Sequence, residues 1–309
     1  MISKVYEYAE KRQFNKRPWF VKVVSTRAIK KDIIMNIDAR RAEMGALSSD
    51  ITTQPIKVYD ETIDGYKHPI TVRWYEPEYH EPRPIIFYFH GGGWYGGNLD
   101  NVHNYCKALS EICQAVVLSV GYSLIPEHPF PHGMEDCYKA MLHGLSLSDE
   151  KGIDLSRVIV SGDSAGGNLA ACMSILSLER QDFDISHQLL IYPLVDVVNL
   201  DTPSLIQEGY MRSGLKALRQ IYTSDLELYK HPYISPIMYQ NLDKLPKTLV
   251  ALAEIDGLRD QGMAYAQALD TAGVEVKTVL FKGKGHAFID KTGNEPAVVD
   301  LIEEISTFI

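Results

Sequence analysis

Six short apolar runs, separated by turns and helix-patterned segments, constrain this chain more than any other feature. They fall at 85–89, 115–120, 158–160, 188–192, 248–253 and 276–281. Such runs, too short for helices and with little polar alternation, are the mark of strands buried on both faces of a sheet. The intervening segments near 101–113, 135–147, 261–272 and 296–308 space their apolar residues at helical steps. Strands alternating with helices imply an α/β fold with a mostly parallel central sheet flanked by helices. An earlier stretch alternates instead, with Ile70, Val72 and Trp74 on one face and Thr71, Arg73 and Tyr75 on the other.

Two regions stand outside this rhythm. The first 50 residues read as helical: Ile2, Val5, Tyr6 and Ala9 share a face, and Phe20, Val23 and Val24 open another. After Pro193 the alternation pauses across 196–245, where Leu215, Leu218, Tyr222, Leu226 and Tyr229 recur at steps of three and four. We therefore expect segments 1–50 and 196–245 to form a helical cap. It would lie over a core domain made of 51–195 and 246–309, at the strands' carboxyl ends, where α/β sheets place ligands.

Charge is unevenly spread. The chain carries −9 overall, yet residues 1–41 hold eleven Lys/Arg against four Asp/Glu, a local +7 that leaves −16 for the rest. Those bases lie on helix-patterned sequence without a dense cluster, so a basic cap on an acidic body is favoured over nucleic-acid binding. No apolar run approaches the roughly 18 residues that span a bilayer. The start, Met1-Ile2-Ser3-Lys4-Val5-Tyr6, lacks an apolar signal core, so a cytoplasmic protein is expected. Cys106, Cys113, Cys137 and Cys172 form no C-x-x-C and no metal-ligand spacing, which predicts buried free thiols and no metal. A homodimer is compatible with the sequence.

The chemistry concentrates at Gly162-Asp163-Ser164-Ala165-Gly166-Gly167-Asn168. This knot of small residues follows the run 158–160 and precedes a helix-compatible stretch, Leu169–Met173. In a strand–turn–helix setting, G-x-S-x-G holds a serine hydroxyl on a sharp, strained turn with a helix N-terminus behind it. A serine nucleophile needs a base, and the base an orienting carboxylate. After Ser164 the histidines are His187, His231 and His286; His286 follows the last strand in the glycine-rich Lys282-Gly283-Lys284-Gly285-His286 and is the candidate base. Asp256, just beyond the strand 248–253, is the candidate acid. Asp260 is its rival, with a ready alternative role as a helix N-cap, and Glu254 is a weaker third.

His90-Gly91-Gly92-Gly93-Trp94 follows the run 85–89 and suits an oxyanion loop, since glycines permit close backbone approach. The expected donors are the amides of Gly92, Gly93 and Ala165, with His90 a prop for its own loop. Trp94, Tyr210, Met211 and Phe20 are candidate substrate contacts; packing within the cap is an equal reading for Phe20, Tyr210 and Met211.

Together these motifs resemble the hormone-sensitive-lipase-like (family IV) carboxylesterases of the α/β-hydrolase superfamily. The resemblance rests on His90–Trp94, Gly162–Asn168, Tyr122–Pro131, Asp256-Gly257-Leu258-Arg259-Asp260 and Gly285-His286-Ala287-Phe288, and spans about residues 84–290. It implies an α/β-hydrolase fold with a helical cap and ester hydrolysis without metal or organic cofactor. It also implies catalysis by the first Asp of Asp-x-Leu-x-Asp. The chain departs from the family pattern at Ser123, where many relatives carry Arg, and at Gly257, where Pro is frequent.

The expectation is a serine carboxylesterase acting on a small-molecule, short-chain acyl ester through an acyl-enzyme. Alternatives with the same triad are a deacetylase of acetylated sugars and an amidase or formamidase. A non-catalytic small-molecule receptor is disfavoured because Ser, Asp and His are all present, and regulatory protein binding on the basic cap is a weaker alternative.

Overall fold

Complete burial dictates the centre of the sheet: in strand β4 (Arg83–Phe89) every side chain from Ile85 to Phe89 is 0% exposed. The computed structural model describes residues 1–8, 25–45, 48–78 and 82–309. Before β4 come β1 (Lys4–Glu7), helices α1 (Thr26–Met35) and α2 (Ile37–Ala42), and the hairpin strands β2 (Ile56–Asp64) and β3 (Pro69–Pro77). After it follow α3 (His103–Cys113), β5 (Val116–Gly121), α4 (His132–Ser146), α5 (Ser148–Lys151), β6 (Ile153–Asp163), α6 (Ala165–Arg180) and β7 (His187–Ile191). The chain then forms α7 (Pro203–Gln207), α8 (Gly209–Tyr222), β8 (Lys247–Ile255), α9 (Arg259–Thr271), β9 (Val276–Gly285) and α10 (Pro296–Ser306).

Nine strands form one sheet in the order β1-β9-β8-β7-β6-β4-β5-β3-β2. It is parallel except where β3 meets β2 and β5. Helices α4, α6 and α9 contribute to the core on one face, and α3 and α10 to that on the other. Helix α6 is buried from Ala165 through Ser177; with no polar face to turn outward, it is a core helix rather than an amphipathic one. The parallel strands bring Phe89, Asp163, Ile255 and Gly285 to a common edge of the sheet, the carboxyl ends of β4, β6, β8 and β9.

Two expectations about the start of the chain need correction. Residues 4–7 form a strand, not helix, pairing parallel with β9 from Lys4↔Val279 to Glu7↔Lys282. Four residues cannot distinguish period 2 from period 3.6, and an open sheet edge supplied the backbone partners that a lone helical turn lacks. Tyr6 stacks on Phe281 with ring centroids 5.2 Å apart. Its hydroxyl donates to Glu304 at 2.6 Å, where Lys4 and Lys277 also converge. Strand β2 was not anticipated; its many polar residues (Lys57, Asp60, Glu61) hide the strand, and pairing with β3 defines it.

Among the described residues, the helical part of the N-terminal segment is α1 and α2. Helix α1 packs on α8 of the 196–245 segment, and both line a cavity that also contains Ser164. Arg41 of α2 reaches the body of the protein, pairing with Glu127 at 2.7 Å and donating to the Tyr95 carbonyl at 2.8 Å. Arg40 of α2 pairs with Asp32 of α1. All four cysteines are free and buried. No helix among the described residues is long and apolar enough to cross a membrane.

Candidate active site

Ser164 stands between the end of β6 and the start of α6 with φ 55° and ψ −113°, a strained backbone for a residue bearing a Cβ. The strain is held from both sides: the Ser164 amide donates to the Ile191 carbonyl at 2.9 Å, and its carbonyl accepts from Leu194 at 3.0 Å. The flanking glycines are obligatory. A Cβ on Gly162 would collide with the backbone of Gly166 and Phe89, and one on Gly166 with that of Phe89 and His90. The turn therefore closes only with hydrogen at both positions, and the sixteen-residue α6 begins directly behind the serine.

Three loops converge here. Ser164 Oγ lies 2.9 Å from His286 Nε2, and His286 Nδ1 donates to Asp256 Oδ2 at 2.8 Å. Asp256 is fully buried, and its other oxygen accepts from the Leu258 amide at 2.8 Å, so the carboxylate is fixed before it meets the imidazole. An acceptor-only carboxylate at Nδ1 leaves Nε2 as the lone pair facing the serine. Burial lowers the pKa of His286. The Asp256 charge and hydrogen bond, aided by Asp163 and Asp290, outweigh it, and the net shift is upward from the usual 6.5.

The rival residues lie elsewhere. Asp260 is not an N-cap: it sits in the first turn of α9, bound to the Ser204 amide at 2.7 Å and to the Arg259 guanidinium at 2.9 Å. Glu254 accepts from the Gly283 amide at 2.8 Å. His231 accepts from the Tyr233 amide, and His187 lies at the opposite end of its strand from Ile191.

The loop after β4 closes its own turn, with the Tyr95 and Gly96 amides donating to the Gly92 carbonyl at 3.2 and 3.0 Å, and side chains hold it from outside. Asp163 Oδ1 accepts from both the Gly91 amide and the Tyr88 hydroxyl at 2.8 Å. Tyr122 stacks on the His90 ring at 4.3 Å and donates to the His90 carbonyl at 2.7 Å. His90 Nδ1 donates to the Gly91 carbonyl at 2.8 Å, and burial pulls its pKa down to about 4, keeping it neutral. Gly92 adopts φ 109° and Gly93 φ 61°, conformations in which a side chain is strained. The amides of Gly92 and Gly93 donate to no group among the described residues. With Ala165, the first residue of α6, they line the same cavity as Ser164 and His286.

That cavity is about 490 Å³; Ile29 and Ile33 from α1 and Met211, Leu215 and Leu218 from α8 give it apolar lining, with Leu194 and Leu258, while Asp32, Arg40 and Glu43 add charged groups. Tyr210 and Met211 line it. Trp94 requires correction as a substrate contact: it is 2% exposed and stacks flat on Tyr222, centroids 4.2 Å apart, outside the cavity wall. Its backbone turns left-handed at φ 62°, carrying the indole under the loop rather than into the space above it. Phe20 lies outside the described residues.

Two acidic residues of the cavity escaped notice in the sequence. Asp163 precedes the serine, and burial pushes its pKa up to about 6 despite the Tyr88 and Gly91 bonds. Asp290, in the turn after His286, is pushed up to about 7 by burial and by the Asp163 charge. Position x of G-x-S-x-G pointed to Asp163; no pattern singled out Asp290. The two departures from the family pattern are accommodated. Ser123 donates to Asp136 and accepts from His68 Nε2 at 3.1 Å, and Gly257 leaves space that Met211 Sδ and Leu205 occupy.

A family model described as the α/β-hydrolase fold matches residues 86–290. Esterase LipI of Mycobacterium tuberculosis is 31% identical over 92% of this chain and 91% of its own length. The ethyl acetate hydrolase of Pseudomonas putida is 32% identical over 87% of this chain and 86% of its own. The solved hyperthermophilic esterase of the archaeon Pyrobaculum calidifontis superposes with TM-score 0.78 at 32% identity, covering 93% of this chain and 91% of that one. The chain belongs to the α/β-hydrolase fold family, in its hormone-sensitive-lipase-like branch. Within that family it is a carboxylic ester hydrolase.

Proposed function

We propose that the chain hydrolyses small, short-chain acyl esters through a covalent acyl-enzyme, with Ser164 as nucleophile, His286 as base and Asp256 as orienting acid. The observation that carries this reading is the Ser164–His286–Asp256 relay, with contacts of 2.9 and 2.8 Å, opening into a largely apolar cavity. His286 Nε2 takes the serine proton as Oγ bonds to the ester carbonyl carbon, and Asp256 holds the imidazolium that forms. The carbonyl oxygen, now an oxyanion, is received by the amides of Gly92, Gly93 and Ala165; each such donor is worth roughly 2.7–4 kcal/mol in the transition state. The alcohol leaves with the proton from His286. Water, deprotonated by the same nitrogen, then attacks the acyl-enzyme and frees the acid and the serine. The short-chain preference draws on the likeness to the ethyl acetate hydrolase of Pseudomonas putida.

Helices α1 and α2 of the N-terminal segment, with α7 and α8 of 196–245, supply the cap in this reading, while β1 belongs to the sheet. Four buried thiols suit the reducing cytoplasm. The test is turnover of a p-nitrophenyl ester ladder from acetate upward, beside acetylated saccharides and anilides, for the wild type and Ser164→Ala. Ester turnover that vanishes in Ser164→Ala, together with fluorophosphonate labelling of Ser164 alone, supports the proposal. Wild-type turnover retained in the variant overturns the nucleophile, and preference for saccharide acetates or anilides overturns the substrate class.

A further inference from the structure

Gly214 lies in the interior of the fourteen-residue helix α8 and lines the cavity above Ser164. Glycine is among the poorest helix formers, so an interior one needs a physical reason. The two usual reasons are missing. Gly214 is not among the residues with left-handed backbone, and a Cβ built on it meets nothing within 4 Å among the described residues.

Its neighbours on the helix show the contrast. Met211 is seated on Gly257, where an added Cβ would come within 2.7 Å of Sδ, and Leu218 is seated on Gly93, with Cδ1 at 2.9 Å. Helix α8 therefore bridges the two walls of the site, one beside Asp256 and the other the oxyanion loop. Residues 211, 214 and 218 share one helical face at steps of three and four. Gly214 is the point of that bridge between the two contacts, and Ile29 and Ile33 of α1, with Leu215, contribute apolar surface to a cavity that Asp32, Arg40 and Glu43 also line. What the missing side chain leaves there, among the described residues, is room.

We propose that Gly214 is a specificity-determining residue: the gap at its Cα receives the distal carbons of the ester's apolar chain and sets the longest chain the site accepts. The proposal rests on the esterase reading above. It identifies the preferred substrates as esters with an unbranched apolar chain able to reach α8. A leucine at 214 fills the gap, whereas an alanine fills part of it and improves helix propensity.

The experiment measures kcat/KM for wild type, Gly214→Ala and Gly214→Leu on a p-nitrophenyl ladder from acetate to decanoate and on an alkyl acetate ladder. Melting temperatures accompany the rates. In Gly214→Leu the ratio of long-chain to shortest-chain kcat/KM is expected to fall by about tenfold or more in one ladder. Which ladder moves identifies the side of the scissile bond that lies under α8. Gly214→Ala is expected to show a smaller fall and a higher melting temperature. Unmoved ratios in both ladders with an active wild type overturn the proposal and leave the esterase reading intact. A destabilised Gly214→Ala also overturns it, because that would reveal a packing reason for the glycine. A wild type inert on every ester overturns the esterase reading, and this proposal with it.

Discussion

The carboxylate of Asp163 accepts the amide of Gly91 at 2.8 Å across 72 residues of sequence, tying the serine elbow to the glycine loop. One buried side chain thus sets the position of the amides that follow Gly91 relative to Ser164. Asp163→Ala strands the Gly91 amide and the Tyr88 hydroxyl, each buried unpaired group costing about 1–3 kcal/mol. We expect kcat to fall more than KM rises, along with a lower melting temperature. Asp163→Asn keeps an acceptor oxygen and is expected to recover most of both. Equal losses in the two variants would show that charge, not loop anchoring, is what matters at this position.

Asp256 and Asp260 are separated by their partners. Asp256→Asn disturbs the histidine tautomer and is expected to cost about 10⁴-fold in kcat. Asp260→Asn retains an acceptor for the Ser204 amide, now bound at 2.7 Å, and its effect is expected to be slight. Steady-state kinetics on one activated ester decide the matter, and the opposite ranking would reassign the acid.

The pH profile follows from the charges around His286. The reaction needs neutral imidazole, and the net shift of His286 is upward, so kcat/KM is expected to fall as pH drops through a value above 6.5. Asp290 contributes to that upward shift, so Asp290→Asn is expected to move the acidic limb to lower pH. Asp290 itself is raised to about 7, above its usual 3.8, which means the folded state holds a proton that the unfolded chain releases. Stability therefore falls as pH rises between those values. Asp290→Asn is expected to raise the urea midpoint near pH 8 and leave it little changed near pH 4. A limb unmoved by the substitution would show that Asp290 is not coupled to His286.

Glu304 joins α10 to the edge strand through Lys4, Lys277 and the Tyr6 hydroxyl. Burial raises its pKa, but those partners outweigh burial and bring it down to about 2. A depressed carboxylate stabilises the fold above its unfolded value near 4.5, and that contribution is lost as pH falls toward 2. Glu304→Gln is expected to quicken amide exchange in β1 and along 279–282 at neutral pH, a difference that shrinks in acid. Unaltered exchange would show that backbone pairing with β9 suffices to hold β1.

Much of the site could be read along the chain because its chemistry is local in sequence. Gly162 and Gly166 flank the serine in a five-residue pattern that is visible in the sequence, although the backbone a Cβ there would meet includes the distant Phe89 and His90. The parallel sheet was legible for a similar reason: strands such as β4, buried on both faces, must be apolar throughout. Length limits this kind of reading. The four residues of β1 satisfy two periods at once, and only the open edge of β9 decided between them.

The sequence by itself determined which residue types were available for acyl transfer, and in what order along a βα rhythm. Tertiary structure alone decided which of them meet. It put His286 Nε2 at 2.9 Å from Ser164 Oγ, turned Trp94 beneath its loop onto Tyr222, and set Gly214 at the cavity with no described residue within 4 Å of where its Cβ would lie. The physical reason is that backbone strain and burial patterns act over a few neighbouring residues and leave a trace in composition. The direction a side chain takes, and the space left around it, depend on elements that are distant in the chain and carry no local signature.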